Sequence, residues 1–233
     1  HCYIHSFPTR RSSDLGIGKT ITTMNSFLLL VSIPVTLLGI ITAEPFLRLL
    51  NVQDDIIGLA RLYMTIYYVG LLPQFGYNIN SSIFYGIGDS RTPLKMLAAS
   101  SILHIILAYL FVVILPWGVA GVAWSTVISQ LFSWALSIIA IKVKYPEYGF
   151  KLLKINIDKD CFRETLRIGI PTGFQNILFS IGMMVMQPLI NSHGVAYIAG
   201  YNAAVRVDGF VFMPVTALTN AITTYVGQNI GAG

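Results

Sequence analysis

The sequence predicts an all-α membrane protein, a polytopic bundle of six transmembrane helices, and three observations carry that prediction. Hydrophobic residues make up 55% of the 233 residues and charged residues 11%, against about 25% charged in an ordinary globular chain. Mean hydropathy is +0.69, and burying that much apolar surface in water needs a larger core than this length can enclose. The apolar residues also fall into six runs, each long enough for the roughly 20 helical residues a bilayer crossing takes.

The segments fall at 21–43, 61–86, 94–115, 118–142, 165–191 and 196–227. The first contains Pro34. The second contains Pro73 and ends in the turn "FYGIGDSRTP". The third starts just after Pro93, and "LPWGVAG" leads into the fourth. The fifth contains Pro171 and Pro188, and the sixth Pro214. Proline is tolerated in a spanning helix because neighbouring helices can satisfy the freed carbonyls. Pro73, Pro171, Pro188 and Pro214 are expected as helix kinks, of the kind transporters bend at, or as prolines that packing simply tolerates.

Net charge is +5, with 15 Lys and Arg, and their placement fits membrane topology better than phosphate binding. One side of the six segments collects Lys19, Arg91, Lys95, Lys142, Lys144, Lys151, Lys154, Lys159, Arg163 and Arg167. The other has only Arg48 and Arg61. Arg206 lies inside the last segment, and Arg10 and Arg11 lie ahead of the first. The rich side is therefore expected to be cytoplasmic. The stretch "KYPEYGFKLLKINIDKDCFRET" on that side reads as a solvated connector or as a segment lying along the membrane surface. Cys161 has only Cys2 to pair with, so the sequence implies no disulfide.

Three groups of residues are candidates for function. In the turn motif, Gly86 and Gly88 permit a tight turn, Asp89 or Ser90 can cap the next helix, and Arg91 and Pro93 begin it. No strand precedes these glycines, a third glycine is absent and there is no GK[ST], so the motif reads as a hinge and not as a phosphate cradle. In "YNAAVRVDGF", Arg206 and Asp208 lie in an apolar helix, where charge is costly unless paired or facing water. Their spacing of two puts them on different faces. Asp208 binds a cation or proton with Arg206 tuning it, or both are structural near the interface. The third group is the intramembrane amides: Gln74, Asn78, Asn80, Gln130, Gln175, Asn176, Gln187, Asn202 and Asn220. They either hydrogen-bond between helices or face a cavity, with Gln175, Asn176 and Asn202 the candidates for binding. His104, with no acid nearby, reads as a packing histidine, and Glu44 as solvated at the outer interface. The sequence has no HExxH, GxSxG or CxxC and no carboxylate pair within one helix, so neither an enzyme nor a metal site is indicated.

Taken together and in order, "GIGDSRTP", "RIGIPTGFQNILFSIG", "IAGYNAAVRVDGFVFMP" and "TYVGQNIGAG" resemble the multidrug and toxic compound extrusion (MATE) family. The resemblance implies a twelve-helix fold of two six-helix lobes around a central cavity. It implies a secondary antiporter of the cytoplasmic (inner) membrane that exports organic, often cationic, drugs or toxins in exchange for Na⁺ or H⁺. No cofactor beyond the coupling ion is implied, and the partners are the lipid bilayer, small organic substrates and the remainder of the same chain, not nucleic acid. The alternatives are a lipid-linked oligosaccharide flippase of the related superfamily or a non-transport membrane scaffold. Gly16 and Gly231 stand 215 residues apart, about one lobe by resemblance, so the chain is expected to carry the family's helices three to eight. Residues 16–142 then belong to the first lobe, 143–164 to a cytoplasmic linker and 165–233 to the start of the second lobe. Residues 1–15 are expected to be artefactual, because His5–Leu15 resembles a translated sequencing adapter.

Overall fold

The computed structural model describes residues 10–49, 52, 54–146, 156–193 and 195–232. Regular structure among them is helical: α1 (Arg10–Leu49), α2 (Asp54–Val69), α3 (Leu71–Gly86), α4 (Arg91–Tyr109), which runs on into a π-helical turn (Leu110–Ile114), α5 (Gly118–Lys144), α6 (Lys159–Ser192) and α7 (Val195–Ala232). The contacts divide the chain after Asp158 into two units, the first holding α1–α5 and the second α6 and α7.

Every predicted segment is helical, but the second is two helices. α2 and α3 meet at Gly70 with a bend of 45°. Pro73 explains the place of the break. It sits in the first turn of α3, where its missing N–H costs nothing, so the helix restarts just ahead of it. Across the break the Thr36 hydroxyl donates to the Tyr68 carbonyl at 3.1 Å, a neighbouring side chain satisfying backbone that the bend leaves open. Four stretches are long and apolar enough to span a bilayer, Gly18–Leu49, Arg91–Ile114, Gly118–Lys144 and Lys159–Met186, and the bent pair makes a fifth. α7 is one continuous helix from Val195 to Ala232.

α5 is the centre of the first unit, packed against α2, α3 and α4. Gly121, Ser125, Ser129, Ser133, Ser137 and Ile141 recur every fourth residue and all are buried. That spacing lines them along one face, and small side chains let neighbouring backbones approach closely. The hydroxyls stay satisfied within the helix: Ser129 donates to the Ser125 carbonyl at 2.7 Å and Ser137 to that of Trp134 at 2.7 Å. Asn80 on α3 donates across to Ser137 Oγ at 2.8 Å. One turn away Gly76 passes so close to Trp134 that a Cβ there would lie 2.2 Å from the indole Nε1.

Two sets of contacts in this unit add to what the sequence shows. Glu44 is not simply solvated. It bonds Arg48 at 2.9 Å and Arg61 at 2.7 Å, because the α1 terminus brings it beside both arginines of its side. The connector is not free at its far end, although residues 147–155 lie outside the described residues. Asn156 N–H donates to Ser26 Oγ at 2.9 Å, Asp158 N–H to Thr23 Oγ1 at 3.0 Å, and Lys19 Nζ lies 3.7 Å from the Asp158 carboxylate. Thr23 and Ser26 are buried on an apolar helix, where hydroxyls need partners; the connector backbone supplies them.

In the second unit, α6 and α7 run unbroken through Pro171 and Pro214, and most of their described apolar side chains are exposed. Such exposure is ordinary in lipid, whose tails are as apolar as leucine. Cys161, expected unpaired, is buried and disulfide-bonded, its partner lying outside the described residues.

Candidate functional site: a polar cavity on three helices

A cavity of about 540 Å³ opens among α3, α4 and α5, within the usual range for small-molecule sites. α3 contributes Gln74, Tyr77 and Asn78; α4 contributes Leu97, Ser100, Ser101, His104 and Ile105; α5 contributes Thr126, Ser129, Gln130 and Ser133. Each wall is built from residues three or four apart, so each helix turns one polar face inward. Among the described residues no carboxylate, lysine or arginine lines the cavity, leaving amides, hydroxyls and one imidazole around Leu97 and Ile105.

Several of these groups are fixed in place. Tyr67 donates to Gln74 Oε1 at 3.3 Å, and Tyr77 donates to the Pro93 carbonyl at 3.0 Å, tying α3 to α4. His104 Nε2 lies 3.2 Å from Thr126 Oγ1, which itself donates to the Val122 carbonyl at 3.0 Å. The His104–Thr126 contact thus links α4 to α5 across the cavity. Gln130 Oε1 is buried with no hydrogen-bond partner among the described residues.

The turn motif forms a second constellation at the Lys/Arg-rich end. α3 closes with two paired bonds, Asp89 N–H to Phe84 O at 2.8 Å and Gly88 N–H to Tyr85 O at 3.0 Å. Gly88 takes the left-handed φ of 86° that this closure requires; Gly86 carries no such demand. Of the two capping candidates, Asp89 does the work. Its carboxylate accepts Thr92 N–H at 3.0 Å, the Thr92 hydroxyl at 2.5 Å, Tyr145 OH at 3.1 Å and Lys144 Nζ at 3.3 Å. Lys144 Nζ also bonds Thr92 Oγ1. Burial opposes ionisation of Asp89, but these donors outweigh it and hold the carboxyl down at about 2. Pro93 is buried in the first turn of α4 and Arg91 is exposed at its start. The motif therefore joins the start of α4 to the end of α5.

The remaining candidate residues lie in the second unit. Gln175 and Asn176 are exposed on α6, and Asn176 borders a hollow with Ile177, Ser180, Ile181 and Met184. Asn202, Arg206 and Asp208 are exposed on α7, and no described group pairs with Arg206 or Asp208. The side chains of Gln187 and Pro188 lie outside the described residues.

The sequence profile of the MatE family matches residues 14–110 and 171–233. The chain belongs to the MatE family. The α3 and α4 walls of the cavity fall inside the matched stretches, and the α5 wall falls between them. Among curated relatives, the probable multidrug resistance protein YpnP of Bacillus subtilis strain 168 is 33% identical over 213 residues, covering 90% of this chain and 47% of that protein. The probable multidrug resistance protein NorM of Thermotoga maritima is 27% identical over 187 residues, covering 78% of this chain and 40% of that protein. The chain thus spans about half the length of the curated relatives it matches. A crystal structure of a MATE protein in complex with MaD3S superposes with TM-score 0.84 at 20% identity, over 95% of this chain and 50% of that one. An inward-facing multidrug resistance MATE family transporter of the MOP superfamily does so with TM-score 0.72 at 20% identity, over 88% and 46%. The fold is accordingly that of part of a multi-pass membrane transporter.

Sequence reasoning singled out Gln74, Asn78 and Gln130 but did not bring them together, and it set His104 aside. The signal was available in "GVAGVAWSTVISQLFSWALS": serines at four-residue intervals mark one face of α5, and Thr126 and Gln130 lie beside it.

Proposed function

We propose that this chain supplies the cargo-binding cavity of a secondary antiporter that exports organic, often cationic, compounds in exchange for inward Na⁺ or H⁺. It works in the cytoplasmic membrane together with the remainder of a longer transporter chain. The observation that carries this reading is the cavity on α3, α4 and α5, of drug-sized volume and lined by neutral polar groups beside apolar side chains. Such a surface accepts the apolar body of an amphipathic compound on Leu97 and Ile105. It solvates the polar end with amides and hydroxyls, without committing to one geometry. The buried, unpartnered Gln130 Oε1 is an acceptor ready for a donor on the cargo. A flippase cargo with an anionic pyrophosphate would need cationic groups, and among the described residues no lysine or arginine lines this cavity.

Coupling is assigned to α7. Asp208 is the carboxylate that binds the driving ion, with Arg206, Asn202, Gln175 and Asn176 as the polar groups near it in sequence or on the neighbouring helix. An ion drives the cycle only through different affinities for the two states of the carrier, and exposed, unpaired charge on an intramembrane helix is costly unless something binds it. Everted membrane vesicles containing the full-length protein test the proposal. Ethidium accumulation should follow an imposed Na⁺ or H⁺ gradient and collapse in Asp208→Asn. Accumulation indifferent to both gradients would remove the antiporter reading.

A further inference from the structure

Asn25 on α1 and Asn80 on α3 are 1% and 0% exposed, and the Oδ1 of each has no hydrogen-bond partner among the described residues. Their amide nitrogens are engaged, Asn25 Nδ2 with the Ile21 carbonyl at 2.9 Å and Asn80 Nδ2 with Ser137 Oγ at 2.8 Å. Trp134 on α5 is buried too, and its indole Nε1–H is likewise without a partner among the described residues. Folded chains rarely leave buried polar atoms in that condition, because an unmade hydrogen bond keeps its full desolvation cost.

The three groups belong to one seam. α1 runs antiparallel to α3: Ile21 packs in one buried cluster with Phe84 and Ile141, and further along α1 the Thr36 hydroxyl reaches the Tyr68 carbonyl. Asn25 is one turn along α1 from Ile21, and Asn80 one turn back along α3 from Phe84, so the two amides stand at the same level. α5 brings Ser137 beside Asn80, and Trp134 Nε1 presses against Gly76, one turn from Asn80 on the same face of α3. Ser137 cannot serve the two amide oxygens, since its one hydrogen goes to the Trp134 carbonyl at 2.7 Å. Ile21, Phe84 and Ile141 close the level on one side with apolar surface. The cargo cavity is a different place, lined from α3 by Gln74, Tyr77 and Asn78.

We propose that this seam binds one water molecule, which donates to Asn25 Oδ1 and Asn80 Oδ1 and accepts from Trp134 Nε1–H. Two acceptors and one donor are the complement of a single water, and about three hydrogen bonds is what a buried water makes. A metal cation is the wrong ligand. The indole N–H turns a positive hydrogen toward the site, and two amide oxygens fall far short of the shell a hard cation takes. The water joins α1 to α3 and α5 by a bridge that can exchange.

The test is water-edited solid-state NMR of the full-length protein in lipid, with ¹⁵N in the indole and asparagine side chains. The Trp134 signal is assigned by its loss in Trp134→Phe. In the wild type it should take up magnetisation from water despite the burial of the ring. In Asn25→Leu/Asn80→Leu, which keeps the side-chain volumes but removes two of the three partners, that transfer should fall about threefold or more. Asn25→Leu alone, which leaves the Asn80–Ser137 bond intact, serves if the pair does not fold, and should also reduce the transfer. A wild-type Trp134 that takes up no magnetisation from water overturns the proposal, as does transfer that is undiminished in the variants. Asparagine signals that shift when Na⁺ is replaced by N-methylglucamine would mark a bound cation, and would overturn it as well.

Discussion

Replacing Asp89 should loosen the Lys/Arg-rich end of the α3–α4–α5 block by a calculable amount. Its carboxylate does two jobs. It accepts Thr92 N–H at 3.0 Å as the cap of α4, and it holds Lys144 at 3.3 Å and Tyr145 at 3.1 Å from the end of α5. Removing a cap costs about 1 kcal/mol. The bonds from Lys144 and Tyr145, which are part of what holds the carboxyl down at about 2, add about 1 kcal/mol once screening at the half-exposed Lys144 is allowed for. Asp89→Ala should therefore cost about 2 kcal/mol, which is roughly a thirty-fold rise in local opening. Asp89→Asn, which keeps an acceptor for Thr92 but loses the charge, should cost about half of that. Hydrogen exchange of peptides covering 84–96 and 140–146 in the full-length protein reads this directly. The two peptides should loosen together in Asp89→Ala, because one side chain joins them. The pH dependence has a definite sign. A carboxyl with a depressed folded value contributes fully above its unfolded value near 4 and loses that contribution as pH falls through about 2. Between pH 5 and 8 exchange, corrected for its intrinsic pH dependence, should not change on account of Asp89. Exchange in Asp89→Ala within twofold of wild type, or loosening confined to α4, would refute this reasoning.

Other perturbations have comparably definite outcomes. Gly76→Val puts atoms where Trp134 already lies and should destabilise the first unit by about 3 kcal/mol, the upper end of overpacking costs, seen as a lower melting temperature in nanodiscs. Asn80→Leu removes the bond to Ser137 and should cost about 1 kcal/mol, reflecting how modest interhelical hydrogen bonds are in membranes; a double-mutant cycle with Ser137→Ala isolates the term. Gly88→Ala forces a Cβ into φ 86° and should cost about 1 kcal/mol, with the exchange change starting at the end of α3. Arg61→Ala, despite its 2.7 Å contact with Glu44, should change stability by less than about 1 kcal/mol because the pair is exposed.

Much of the fold was legible because lipid imposes a simple rule: apolar runs become helices, and alternating charge fixes their order. That rule places the segments at 94–115 and 118–142 almost to the residue. It is silent where two physical effects compete over a few residues, so the break at Gly70 was expected at Pro73 itself. Pro73 instead starts a new helix, and the chain pivots one turn earlier. Polar contacts are harder to foresee. The sequence offers Asp89 and Ser90 equally as caps, and only the arrival of Lys144 and Tyr145 from 55 residues away distinguishes them. His104 was set aside because no acid is near it in sequence. Its significance comes from Thr126 on another helix, and such pairings depend on helix rotation, which hydropathy does not encode. The inward serine face of α5 was available as a four-residue repeat but became a cavity wall only when α3 and α4 were placed against it.

The most direct test of the account is whether cargo occupies the cavity on α3, α4 and α5. Single cysteines at Ser100 and Ser129, two lining positions on facing helices, can be labelled in the full-length protein with a membrane-permeant maleimide while ethidium is titrated. The account predicts that ethidium slows labelling at both positions with one shared half-maximal concentration, and leaves a control cysteine at exposed Ile139 unaffected. Ethidium binding of the same strength with no protection at Ser100 or Ser129 would contradict it, and would move the cargo site away from this cavity.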